Sequence, residues 1–279
     1  MQYVRIASEA DLLEVIGQPG AVLLSGGTDL LVKLRSGGAS PDTLLDVSGI
    51  PSLCGMQWVD NVLRIGAATP IADILDARDV VERLPLLSSV LQTLGSVQIR
   101  NRATLAGNLV NASPAADSAI ALLLYDANVE LVGTDGKRCI PVSELFVGPG
   151  KTALRAKEYV RSVGIPLPPH PHTSFFHKVG KRRALTIAIA SVGSLLAVDD
   201  GRIVEARFAA GSVAPTPCRL RRVEEIVAGR TPTPDLVDDA ITAAQANVSP
   251  IDDVRATAAY RRTVVGELVG RALRTAAAR

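Results

Sequence analysis

Two glycine-bearing stretches hold the residues of this chain best suited to chemistry. The first is Leu23-Leu24-Ser25-Gly26-Gly27-Thr28-Asp29-Leu30, with an expected strand before it (Ala21–Leu24) and an expected helix after it (Leu30–Arg35). The second lies in residues 98–125, where Gln98-Ile99-Arg100-Asn101-Arg102 leads to Thr104-Leu105-Ala106-Gly107-Asn108. Small residues let backbone N–H groups approach a ligand closely, and a helix start just beyond adds a partial positive charge. Strand, glycine turn and helix present consecutive amides to phosphate. Each stretch alone also reads as a plain glycine turn between two elements. Together they point to an anion such as a pyrophosphate.

Protein-based catalysis finds little support. His170, His172 and His177 fall within eight residues, beside prolines of a linker, where a metal site would need ligands on facing rigid elements. There is no Gly-x-Ser-x-Gly elbow, and Asp199-Asp200 and Glu224-Glu225 read as solvated turns or helix faces. The segment Gly148-Pro149-Gly150-Lys151-Thr152 suggests a P-loop, but the pattern requires glycine at position 145, where Leu145 stands. Pro149 also removes an amide such a loop would use. No residue is therefore assigned as catalytic or metal-binding, which suits a protein whose cofactor does the chemistry.

The paired motifs resemble those of the flavin-binding (medium) subunits of molybdenum hydroxylases, the family of carbon monoxide dehydrogenase and xanthine dehydrogenase. The residues that carry the resemblance are SGGTD at 25–29, TLAGN at 104–108, QIRN at 98–101 and SPAAD at 113–117. The resemblance implies an α+β fold: two α/β subdomains forming a PCMH-type FAD-binding domain, then a smaller C-terminal α+β domain with an antiparallel sheet and helices. It implies non-covalent FAD held by Leu23–Leu30 and by Thr104, Leu105, Ala106, Gly107 and Asn108, with Thr28 and Thr104 adding hydroxyls. It also implies that Leu94 packs on the cofactor and that Asp117 and Lys178 contact it. Asp117 otherwise reads as a helix N-cap and Lys178 as a solvated linker charge. Lys178, by stabilising a reduced, anionic flavin, would raise its potential. Ala106 stands where glycine is more frequent, so a positive φ there would cost about 1 kcal/mol. Covalent attachment is not expected, because no histidine precedes His170 and Cys54 and Cys139 lie outside both motifs.

The resemblance further implies partner subunits that carry the molybdenum cofactor and two [2Fe–2S] clusters. Electrons would pass from the clusters to FAD and on to NAD, oxygen or quinone. APTP (214–217) and GPGK (148–151) lean towards the xanthine dehydrogenase branch. The rivals are a carbon monoxide dehydrogenase-like or other aldehyde- or N-heterocycle-oxidising complex, and a nucleotide-binding or assembly module without redox turnover.

Composition agrees with a globular protein. The 279 residues are 47% hydrophobic, enough for a sizeable core. Charge nearly cancels, 30 basic against 28 acidic giving +2, and aromatics are 3%, so neither a charge-driven nor a stacking nucleic-acid binder is indicated. Cys54, Cys139 and Cys218 form no C-x-x-C and suit a reducing cytoplasm. No apolar run approaches 18 residues and the start lacks a signal segment, so a cytoplasmic protein is expected.

The elements that must position the motifs follow from local signals. A helix is expected over 8–16, capped by Ser8 with Asp11 as a capping-box partner, and a strand over 43–47. Hairpins are expected around Asp60-Asn61, Thr134-Asp135-Gly136 and Asp199-Asp200-Gly201. Thr69-Pro70 reads as cap and first residue of a helix running towards Leu94 with a break at Pro85. A helix is expected over 118–125. Helices are also expected over 223–227, 234–246 and 258–277. The PLPPHP run, 166–171, reads as a stiff connector. These signals divide the chain into units 1–50, 51–165 and 173–279. Lys181, Arg182 and Arg183 form a local basic cluster suited to an acidic partner.

Overall fold

The computed structural model describes residues 1–182 and 185–277. The α+β architecture expected from the sequence is present, built on separate sheets. The first sheet contains β1 (Gln2–Arg5), β2 (Ala21–Leu24) and β3 (Thr43–Asp46), interleaved with α1 (Glu9–Val15) and α2 (Leu30–Arg35). Its order is β1-β3-β2, all parallel, so the strand leading into the first glycine segment is an edge strand. Ser8 caps α1 by accepting from the Asp11 amide at 3.1 Å, while its hydroxyl donates to the Asp11 carboxylate at 2.8 Å. The expected return bond to the Ser8 amide is thus replaced by a side-chain pair.

The second sheet, order β4-β5-β10-β6-β7, is antiparallel. It contains β4 (Met56–Val59), β5 (Val62–Gly66), β6 (Asn128–Gly133), β7 (Gly136–Pro141) and β10 (Glu158–Pro166). Asp60 and Asn61 take φ of 48° and 61°, the left-handed pair that a two-residue hairpin between β4 and β5 requires. Between β5 and β6 run α3 (Ile71–Asp76), α4 (Arg78–Arg83), α5 (Pro85–Gln92), α6 (Val97–Arg100), α7 (Leu105–Val110) and α8 (Asp117–Leu124). The helical stretch after Pro70 is interrupted at Ala77 as well as at Leu84, before Pro85. Thr69 is not the cap: Pro70 is, and the buried Thr69 hydroxyl donates to the Gly55 carbonyl at 2.9 Å. A Pro at the cap leaves Thr69 free to tie the helix to the preceding sheet.

After β7 come α9 (Val142–Leu145) and a small hairpin of β8 (Phe146–Gly148) and β9 (Lys151–Thr152). Gly150 has φ +69° in its turn and donates its amide to the Ala112 carbonyl at 2.9 Å. GPGK is therefore a glycine turn pinned to the end of α7, not a phosphate loop.

The third sheet, order β11-β12-β13-β14, is antiparallel. Its strands are β11 (Thr173–Val179), β12 (Ala190–Asp199), β13 (Arg202–Gly211) and β14 (Cys218–Arg219), followed by α10 (Arg221–Val227), α11 (Pro234–Ala246) and α12 (Ala258–Ala277). One face of this sheet packs on α10–α12 around Val192, Phe208 and Leu236. The other meets α8, all of whose residues are buried. The approach is close: a Cβ on Gly193 would lie 2.7 Å from Ile120 Cγ2. Arg207 and Arg219 donate to the Leu124 and Leu123 carbonyls at 2.8 and 3.0 Å, closing the C-terminal end of α8. His172, just past the proline connector, packs back on the protein: it is half-buried, edge-on to Tyr125 at 6.2 Å, and burial pushes its pKa down. Among the described residues no helix is long and apolar enough to cross a membrane, and no His/Cys/Asp/Glu group could hold a metal.

Candidate cofactor site

The chain leaves the edge strand β2 through residues 25–29 and enters α2 at Leu30. Gly27 turns the chain with φ +72°, a conformation that disfavours any residue with a Cβ. Gly26 serves a different purpose. A Cβ there would stand 2.0 Å from the Arg102 carbonyl oxygen and 2.9 Å from the Ala103 Cα, so the two segments touch through main chain. The Ala103 carbonyl in turn accepts from the Ile71 amide at 2.8 Å, and Pro70 bridges Thr104. The entry to α7 is thereby fixed between the start of α3 and the first glycine segment.

Thr104 caps α7, its hydroxyl oxygen accepting from the Gly107 amide at 3.0 Å. Ala106 is an ordinary helical residue in α7, so the strain foreseen for alanine at that position does not arise. Asn108 accepts from the Ser118 hydroxyl at 2.6 Å, holding α7 against α8. Both α2 and α7 are six residues long, so their dipoles are small and free amides are the relevant donors.

Between the segments lies a cavity of about 460 Å³. Leu23, Leu24, Ser25, Gly26, Gly27, Thr28, Asp29, Leu30, Leu94, Thr104, Ala106, Gly107 and Asn108 all line it. Leu105 does not: its side chain is buried in the core, leaving only its backbone for the site. Sequence reasoning missed Lys33, Ile99, Asn111, Tyr159 and Val160, which also line the cavity. Lys33 carried a signal, since it follows Asp29 by four residues on an expected helix.

The donor set suits a diphosphate-bearing ligand. Among the described residues, the amides of Gly26, Gly27, Thr28 and Ala106 have no partner, and neither has the buried Ser25 Oγ. A buried group such as Ser25 Oγ is ordinarily satisfied, by protein, water or ligand. Leu24, Leu94, Ile99 and Val110 supply apolar walls, the mixture of few polar groups and apolar surface that small-molecule sites show.

Asp117 and Lys178 stand beside the cavity rather than in its lining. Asp117 is the first residue of α8, with Ala116 as the N-cap, so the capping role read from the sequence is not realised. Its carboxylate meets Lys178 of β11, and both side chains are over nine-tenths buried. Lys178 Nζ also donates to the Thr93 carbonyl at 3.3 Å, next to the cavity-lining Leu94. Lys178 is therefore no solvated charge. Burial pushes the Asp117 carboxyl up, and the ammonium offsets this only in part. Asp117 Oδ1 has no partner among the described residues. Of the basic cluster, Lys181 donates to the Val254 carbonyl at 2.7 Å and Arg182 to that of Leu185 at 2.9 Å; Arg183 lies outside the described residues.

Comparison with known proteins gives two family matches. Residues 1–168 match the family described as FAD binding domain in molybdopterin dehydrogenase, and residues 175–276 match the CO dehydrogenase flavoprotein C-terminal domain. The xanthine dehydrogenase FAD-binding subunit of Escherichia coli O157:H7 is 33% identical over 226 residues, 80% of this chain and 77% of the relative. The glyceraldehyde dehydrogenase medium chain of Sulfolobus acidocaldarius is 31% identical over 99% of this chain and 98% of its own length. A chain of the solved carbon monoxide dehydrogenase from Hydrogenophaga pseudoflava superposes with a TM-score of 0.95 at 30% identity, covering 100% of this chain and 97% of that one. The chain belongs to the family of FAD-binding domains of molybdopterin dehydrogenases, carried here with the flavoprotein C-terminal domain of the CO dehydrogenase type.

Proposed function

We propose that this chain is the FAD-binding electron-transfer subunit of a molybdenum hydroxylase. Units 1–50 and 51–165 together form the cofactor domain, and unit 173–279 buttresses it. The observation that carries the reading is the single cavity lined by both glycine segments. The unpartnered amides of Gly26, Gly27, Thr28 and Ala106, with Ser25 Oγ, would hold the diphosphate. Leu24, Leu94 and Ile99 would cover ring surface and exclude water. The Thr28 hydroxyl is available as a further donor, whereas the Thr104 hydroxyl oxygen already serves its helix cap. Bound FAD supplies a centre that takes up and releases electrons singly or in pairs.

Asp117 and Lys178 act as a pair. The lysine lends positive potential to the region past Thr93 and Leu94, and the Asp117 carboxylate holds the ammonium there. Attachment would be non-covalent: among the described residues that line the cavity there is no cysteine or histidine to form a bond to the flavin. Partner chains would carry the molybdenum cofactor and [2Fe–2S] clusters, and NAD, oxygen or quinone would take the electrons. Three free cysteines suit a cytoplasmic setting. Relatives named for xanthine, glyceraldehyde and carbon monoxide oxidation match to similar degrees, so the xanthine dehydrogenase-like reading keeps its carbon monoxide dehydrogenase-like alternative.

The test is isolation of the native assembly. Flavin absorbance released by mild acid, together with co-purifying iron–sulfur and molybdenum chains, supports the reading. A homogeneous chain without flavin or partners favours the non-redox nucleotide-binding module.

A further inference from the structure

We propose that Lys33 is the counter-charge of the cofactor site, held by Asp29 and Asn111 at the point where the diphosphate passes. The inference rests on the cofactor reading above and adds a residue that neither glycine motif contains. Among the described residues that line the cavity, Lys33 is the one cation and Asp29 the one anion. Lys33 Nζ lies 2.8 Å from Asp29 Oδ2 and donates to Asn111 Oδ1 at 2.6 Å. Asp29 stands at the entry of α2 and Asn111 caps the end of α7, so one ammonium spans the two segments.

An ammonium has three protons. Two are directed to Asp29 and Asn111, and the third is free for an acceptor in the cavity. Without Lys33 the lining would present only the Asp29 carboxylate to an anionic ligand, a repulsive arrangement at short range. The amine is half-exposed, with a side-chain exposure of 51%, so its attraction for phosphate is screened by salt. A lost counter-charge therefore weakens binding most at low salt.

The experiment uses the assembly in which the chain is purified, stripped of flavin. FAD and ADP are titrated calorimetrically into the parent, Lys33→Met and Lys33→Arg forms at low and high salt. Lys33→Met is expected to weaken both ligands about tenfold at low salt, to converge on the parent at high salt, and to be rescued by Lys33→Arg. Equal affinity of parent and Lys33→Met, or a loss independent of salt, overturns the inference while leaving the cofactor site standing. A parent that takes up no FAD overturns the cofactor reading and this inference with it.

Discussion

Gly26→Ala is the most direct perturbation of the site. Its Cβ would fall 2.0 Å from the Arg102 carbonyl oxygen, whereas ordinary contact begins at 3.4 Å. The two segments, both of which line the cavity, must then part by 3.4 − 2.0, roughly 1.4 Å. The obstacle is main chain, and the next carbonyl along, that of Ala103, is already bonded to the Ile71 amide, so no rotamer change relieves it. Overpacking of this kind costs about 1–3 kcal/mol. We place this site near the upper end, because the displaced neighbour is backbone. Expressed wholly in cofactor binding, about 3 kcal/mol is roughly 150-fold in Kd. Gly37→Ala is the control: Gly37 has a left-handed φ, +74°, which Gly26 lacks, and has nothing within 4 Å of its Cβ position, so it isolates backbone strain from the close contact. It should lose about 1 kcal/mol of stability through backbone strain alone and keep its flavin. The assay is flavin retained per chain, followed by FAD titration of the stripped protein, with thermal unfolding run alongside. If Gly26→Ala binds FAD as the parent does, the contact between the segments does not shape the site and the argument fails.

Gly27→Val combines a β-branched side chain with φ +72° and a Cβ 3.0 Å from Leu24 Cδ1; flavin content should drop, and full retention would place the cofactor elsewhere. Lys178→Ala leaves the buried Asp117 carboxylate without its partner, which should destabilise the protein by about 3 kcal/mol and lower the reduction potential of bound flavin. A potential matching the parent's in a spectroelectrochemical titration would remove the pair from the flavin's surroundings. Glu158 is held at about 2 by the Arg138 guanidinium, below its ordinary 4.5. A folded-state pKa below the unfolded one stabilises the fold above pH 4.5, and this contribution disappears as pH falls towards about 2. Glu158→Gln should therefore lose stability at neutral pH and show a flatter acid limb between those values; parallel limbs in denaturant titrations across pH would refute it.

The sequence determined what is local. The hairpin at Asp60-Asn61 and the one at Asp200-Gly201 were legible because their left-handed residues leave few alternatives. Helices over Leu30–Arg35, Pro234–Ala246 and Ala258–Ala277 followed from caps and periodicity within a single stretch. The two glycine motifs named the family because their residue types are tied to a particular backbone task. Tertiary structure alone decided which distant groups meet. Thr69 gave up its capping role to bond Gly55, and Asp117 took the first position of α8 to reach Lys178 across 61 residues. His172 packed on Tyr125, and Lys33 reached Asn111. Nothing in the local sequence encodes the 2.0 Å that separates a Cβ at position 26 from Arg102. Turn and helix preferences act over a few bonds, whereas a cavity is set by the packing of sheets and helices whose partners are remote in the chain. Burial and pairing of polar groups are settled only when those surfaces close.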